Sequence, residues 1–135
     1  MSPLFLMATA SLAAEPVERY ALLVGHNHGG PGRTELRYAH SDANSMAAVL
    51  EQLGGVRPDH DVVLLDPTRA QLVSALASMK AQVVQKPNAE FVFYYSGHSD
   101  EVGLMLGSEA YGYSELRQAL DSMLASIGRK LDAVL

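Results

Sequence analysis

The feature that most constrains this chain is an alternation repeated three times. Short runs of aliphatic and aromatic residues, "RYALLVG" (19–25), "HDVVLLD" (60–66) and "EFVFYYS" (90–96), are separated by segments whose apolar residues recur at intervals of three and four. A short continuous apolar run suits a strand buried on both faces, where neither side tolerates polar groups. Over residues 41–53, Ala43, Met46, Ala47, Leu50 and Leu53 form one helical stripe. His40, Ser41 and Asp42 are its N-cap candidates and Gly54-Gly55 its stop. Pro67-Thr68 opens a second helix that aligns Leu72, Leu76, Met79 and Val83, with Pro87 beyond its end. "GLMLGS" (103–108) reads as a short extended piece, "YSELRQALDSML" (113–124) as a third helix capped by Ser114, and "RKLDAVL" (129–135) as a fourth strand. Strands that alternate with helices predict an α/β fold, with a mostly parallel sheet covered by helices on both faces.

Composition narrows the class of protein. A chain of 135 residues with 48% hydrophobic and 19% charged residues is expected to build one core in one domain. Its net charge of −5 argues against a general nucleic-acid binder, which presents a basic face. With no cysteine, it holds neither a disulfide nor a thiolate metal site. Residues 1–15 carry an apolar run followed by Glu15-Pro16, and small residues at Ser11 and Ala13, or Ala8 and Ala10, suit a signal-peptidase site. No Lys or Arg precedes the run, so residues 1–15 read as a signal peptide or as a flexible leader, and residues 16–135 as the folded domain. The run is too short to span a bilayer. A genuine signal places the protein in the periplasm or outside the cell; otherwise it is cytoplasmic. Oligomeric state is not legible.

In a parallel α/β sheet the active site lies at the carboxyl ends of the strands. That rim should gather the His26/His28 loop, the Gly97-His98 turn and whatever follows Leu135. His98 comes directly after a buried strand and a Ser-Gly pair, where a histidine can serve as general base or simply bond a local carbonyl. "GHSDE" (97–101) invites comparison with the nucleophile elbow G-x-S-x-G and would make Ser99 a serine nucleophile. Against this, Glu101 stands where the second glycine belongs, and an extended segment follows in place of a helix. His26 and His28, with His40, could chelate a metal, but no further ligand pattern supports them. The Gly29-Gly30-Pro31-Gly32 run lacks the Lys-Ser/Thr of a P-loop. Asp42 either caps its helix or contacts substrate at the rim; Asp100 and Glu101 are either solvated charges or orient the His98 imidazole.

Four segments, in order, resemble the large-subunit (p20-like) region of the caspase-like cysteine peptidases, which include the metacaspases. "RYALLVGHN" is similar to the family's first strand, and "LRYAHSDANSMAAVLEQLGG" to its L-R-x-A-x-x-D-A segment. "FVFYYSGHSDEVGLMLG" is similar to the motif around the catalytic histidine, and "RKLDAVL" to the strand that delivers the nucleophile. The resemblance covers about residues 19–135 and implies a caspase-like α/β/α sandwich acting on peptide or protein substrates. It implies His98 as catalytic histidine, the Gly97 N–H as an oxyanion donor, and Asp42 with Ser96 as lining of the primary specificity pocket. An acidic pocket of this kind favours Arg or Lys at the cleaved position, whereas Arg37 stands near, but out of register with, a position that serves an Asp-binding pocket. Calcium is the one cofactor the resemblance allows, and no residues are assigned to it. In the family the fourth strand runs into D-x-C-x-x-G, so the chain is expected to stop just before its nucleophile, with the C-terminal strands missing and no activity of its own. The alternatives are a non-catalytic caspase-like binding module and a serine hydrolase using Ser99.

Overall fold

A computed structural model describes residues 16–127; the leader at 1–15 and the fourth strand expected at 129–135 lie outside the described residues. Three strands, β1 (Glu18–Gly25), β2 (Val56–Leu65) and β3 (Ala89–Ser96), form a parallel sheet in the order β2-β1-β3. β1 lies in the middle, and Ala21, Leu22, Leu23 and Val24 are fully buried, as its unbroken apolar run requires. Its side chains alternate between two layers. Ala21 and Leu23 pack with Ala43 and Ala47 of α1 (Ala39–Gln52). Tyr20, Leu22 and Val24 face the opposite cluster, which contains Leu72, Leu76, Met79 and Val83 of α2 (Arg69–Val83) and Leu116 and Met123 of α3 (Tyr113–Ile127). This is the expected α/β/α layering.

Several local expectations need correction. β2 is not buried on both faces: it is an edge strand among the described residues, with Val62 and Leu65 exposed. It also begins earlier than residue 60. Its register with β1 jumps from Arg19↔Val56 to Ala21↔Asp61, and the bulged stretch contains Pro58, which has no N–H for a ladder bond. α1 begins at Ala39, so His40, Ser41 and Asp42 lie inside its first turn; Tyr38 occupies the cap position without a side-chain bond. Asn27 does the capping from the loop after β1, its Oδ1 accepting the Ala39 N–H at 3.1 Å. Ser114 likewise falls inside α3. α2 does start as expected, through a reciprocal box in which Thr68 Oγ1 accepts the Gln71 N–H and Gln71 Oε1 accepts the Thr68 N–H.

The extended piece after β3 is half of a hairpin. β4 (Gly103–Leu106) and β5 (Glu109–Gly112) pair antiparallel around a turn at Gly107-Ser108. All four residues of β4 are buried, and Tyr111 of β5 lies under the Arg69 guanidinium, 5.6 Å from the ring centre. Arg69 also pairs with Glu115, tying α2 to α3. Among the described residues no helix is long and apolar enough to cross a membrane.

Between β2 and α1 the fold brings two carboxyl groups together. Burial first, and then the hydrogen bond and charge of Glu51, push the Asp61 carboxyl up to about 6. A carboxyl raised on folding binds protons more readily in the native state, so its opposition to folding grows as the pH rises from 3.8 and is complete above about 6. Asp61→Asn is therefore expected to stabilise the protein at neutral pH, by about 1 kcal/mol after allowance for solvent screening. The gain should vanish as the pH is lowered toward 4, the ordinary carboxyl range, when urea denaturation is followed across pH.

Candidate active site at the carboxyl rim of the sheet

The three strands end side by side. Gly25 pairs with Leu65 on one flank and with Ser96 on the other, so the loops after β1, β2 and β3 leave from one line. Gly25 is a packing requirement. A Cβ there would stand 2.3 Å from the Ala39 carbonyl oxygen and 3.1 Å from the Ala43 Cβ. The first turn of α1 rests directly on the strand end, and this brings Asp42 to β3, where Ser96 Oγ donates to Asp42 Oδ2 at 2.7 Å. The sequence placed both residues at the rim; the structure joins them. Capping is excluded as the role of Asp42, whose own N–H is an ordinary helical donor to Tyr38 O at 2.8 Å.

His98 lies two residues past the end of β3 and is half-buried. Its Nε2 is 2.6 Å from the Thr34 carbonyl oxygen. A carbonyl only accepts, so this ring nitrogen carries the proton, and Nδ1 is the nitrogen left with a lone pair. Asp100 and Glu101 do not orient the ring. Asp100 Oδ1 accepts the N–H groups of Val102 and Gly103 at 2.8 and 3.1 Å, and Asp100 Oδ2 is 3.6 Å from Arg33 Nη2. These bonds hold its carboxyl below the ordinary range, those from Val102 and Gly103 first. Arg33 also donates to the Gly29 carbonyl at 3.0 Å, which braces the loop that carries Thr34. Thr34, Glu35, Leu36, Arg37 and Asn27 line a cleft of about 480 Å³ beside that contact. Ser99 does not sit on a nucleophile elbow: it bridges Leu104 and leads into the β4–β5 hairpin, where an elbow requires a helix.

Three of the other four histidines, His26, His28 and His40, gather on a residue that sequence reasoning missed. Asp66, one step beyond β2 with φ 49°, accepts the Asn27 N–H at 2.9 Å. Its carboxylate oxygens lie 2.8 Å from His40 Nε2, 3.5 Å from His28 Nε2 and 3.6 Å from His26 Nδ1. Burial pushes the Asp66 carboxyl up, but His40, the Asn27 N–H and the charge of His26 outweigh it and hold the carboxyl below its ordinary value. Among the described residues no group of His, Asp or Glu is arranged to hold a metal ion. The signal for Asp66 was available, since an aspartate closing a buried run at the rim is out of place unless partnered. Tyr95 and Thr34 carried no such signal, because their contacts are made through the His98 backbone carbonyl and the Thr34 backbone carbonyl.

A three-stranded parallel sheet covered by helices on both faces, with the loops that follow its strands gathered at the carboxyl rim, is the fold expected of a caspase-like domain. The sequence model of the Caspase domain, peptidase C14, matches residues 18–132, and the chain belongs to that family. It is similar to Metacaspase-1 of Debaryomyces hansenii, 30% identical over 112 residues that cover 77% of this chain and 25% of the relative. It is also similar to Metacaspase-1 of Meyerozyma guilliermondii, 32% identical over 109 residues covering 75% of this chain and 26% of the relative. The chain thus spans about a quarter of the length of the curated relatives it matches.

Two outcomes follow from this geometry. Gly25→Ala should lower stability by about 1–3 kcal/mol, the usual cost of forcing a carbon into a packed site, read from the urea midpoint. The second concerns His26, which burial holds below the ordinary 6.5 despite the opposing charge of Asp66. The unfolded chain then takes up a proton before the native one, so this stabilisation is present above pH 6.5 and is lost as the pH falls. In an Asp61→Asn background, which removes the opposing titration, the thermal midpoint should drop between pH 7 and about 5, and His26→Gln should flatten that drop.

Proposed function

We propose that the chain is the histidine-bearing part of a cysteine-type endopeptidase, with His98 as one half of a Cys–His dyad and the thiol supplied from beyond Leu135. The chain contains no cysteine, so on this reading residues 1–135 alone do not cleave peptides. The observation that carries the proposal is the Thr34 carbonyl on His98 Nε2, at 2.6 Å, beside the Asp42–Ser96 pair on the same rim. It leaves Nδ1 to exchange the proton.

The chemistry is acyl transfer. The thiol passes its proton to His98 Nδ1, and the thiolate attacks the scissile carbonyl carbon, forming a C–S bond. The Gly97 N–H and the nucleophile's own N–H stabilise the oxyanion. When the C–N bond breaks, His98 returns the proton to the leaving amine, and water then hydrolyses the acyl-enzyme. The exposed Asp42 carboxylate, held by Ser96, makes an Arg or Lys side chain the favoured partner at the cleaved position; Arg37, on the wall of the adjoining cleft, is the residue an Asp-directed specificity would use. No step is assigned to calcium, because the resemblance that allows it assigns it no residues of this chain. If residues 1–15 act as a secretory signal the reaction takes place in the periplasm or outside the cell, and if they are a leader it takes place in the cytoplasm.

The first test is the coding sequence after Leu135, where D-x-C-x-x-G is expected; a replaced cysteine would indicate the non-catalytic module. A form carrying that segment should cleave Arg-terminated fluorogenic peptides and be blocked by thiol alkylation. His98→Ala should reduce kcat at least about a hundredfold, as loss of a general base does. Asp42→Asn should lower kcat/KM for Arg substrates roughly tenfold to a hundredfold, the worth of one charged hydrogen bond. Unchanged turnover in His98→Ala would overturn the assignment.

A further inference from the structure

Tyr95 is the last aromatic residue of β3, and the proposed reaction gives it no role. Strand alternation sends it away from the Asp42–Ser96 side, so its ring packs against the cluster of α2, α3 and β4. Its hydroxyl then reaches up beneath the turn that follows. It donates to the His98 carbonyl oxygen at 2.6 Å and lies 3.0 Å from the Met105 carbonyl oxygen. A phenol has one proton to share between these acceptors, and the shorter distance belongs to His98. The same carbonyl receives the Met105 N–H at 2.9 Å, so the backbone of His98 is held both from within β3 and from β4. Residue 97 is shaped around the hydroxyl as well: a Cβ there would stand 2.4 Å from Tyr95 Oη and 3.0 Å from the His26 carbonyl oxygen.

We propose that the Tyr95 hydroxyl is a positioning group for the reaction, fixing the 96–98 turn so that the Gly97 N–H and the His98 imidazole face the same point. The inference rests on the assignment of His98 made above, and it adds a division of labour. Thr34 holds the far end of the ring through Nε2, from the loop after β1. Tyr95 holds the near end, through the backbone from which the ring hangs. With both anchors present, Nδ1 has one direction to point. With only Thr34, the ring can pivot about that contact, and a misplacement of about 1 Å is enough to cost a large factor in rate. Burial pushes the Tyr95 phenol up to about 12, so it remains a donor at every pH at which an imidazole can act as a base.

A tyrosine that merely satisfies its hydroxyl in the core makes a different prediction from one that positions His98. The substitution that separates them is Tyr95→Phe, which keeps the ring and leaves the space beside Gly97 open. On residues 1–135, backbone-assigned NMR should show the His98 carbonyl carbon moving in Tyr95→Phe. The His98 ring signals should broaden, those of His60 should stay in place, and the thermal midpoint should change by only a few degrees. In the longer form that carries the thiol, kcat should fall about tenfold, the worth of one hydrogen bond expressed in the transition state, with KM unchanged. Replacing Tyr95 by p-aminophenylalanine, which retains a donor, should restore most of the rate. If the His98 carbonyl and ring signals do not move in Tyr95→Phe, or if kcat is unaffected, the inference is overturned. The underlying assignment fails separately, through unchanged turnover in His98→Ala.

Discussion

α1 can begin over the end of β1 because residue 25 has no side chain, and the rest of the rim is built on that contact. The Ala39 carbonyl fills the place a Cβ would take. With the helix start seated there, Asn27 can cap Ala39 through its side chain while its own N–H is held by Asp66. The Asp66 N–H in turn donates to the Gly25 carbonyl at 2.9 Å. One turn further along α1, Asp42 meets Ser96. Three loops from three strands are thereby locked to one another by short polar contacts at a single point of the sheet.

The two aspartates of this rim have opposite characters. Asp66 is surrounded by a backbone N–H and three imidazoles and is committed to holding the loops together. Asp42 is exposed and bonded to a hydroxyl, which leaves carboxylate capacity for a cation. The division follows from backbone position. Asp66 leaves β2 in a left-handed conformation (φ 49°) that turns it toward the β1 loop, whereas Asp42 projects from a regular helix. Near the histidine, polar groups are arranged by the same logic: carbonyls of Thr34 and His98 are fixed by their partners, and the imidazole between them inherits that order.

Much of the architecture was legible in the order of residues. β1 and β3 announced themselves as apolar runs, and the buried face of α2 was read residue by residue as Leu72, Leu76, Met79 and Val83. Where the reading slipped, a long-range contact had replaced a local preference. Capping of α1 was expected from His40, Ser41 or Asp42, but the donor is satisfied by Asn27, twelve residues earlier. β2 looked central because its residues are apolar, yet among the described residues it has a neighbour on one side only. The β4–β5 hairpin was half seen, since "GLML" shows a buried strand but "EAYG" has no apolar run of its own.

What the sequence by itself determined is the three parallel strands and the three helices, the rim on which His98, Gly97, Ser96 and Asp42 sit, and the family to which the motifs belong. Periodicity and punctuation suffice for that, because they act through neighbours along the chain. Tertiary structure alone decided which side chains touch: Asp42 with Ser96, the histidines with Asp66, and His98 between Thr34 and Tyr95. The His98 contacts run through backbone carbonyls, which every residue type possesses. No pattern of side chains along the chain can encode which carbonyl a distant imidazole or phenol will find.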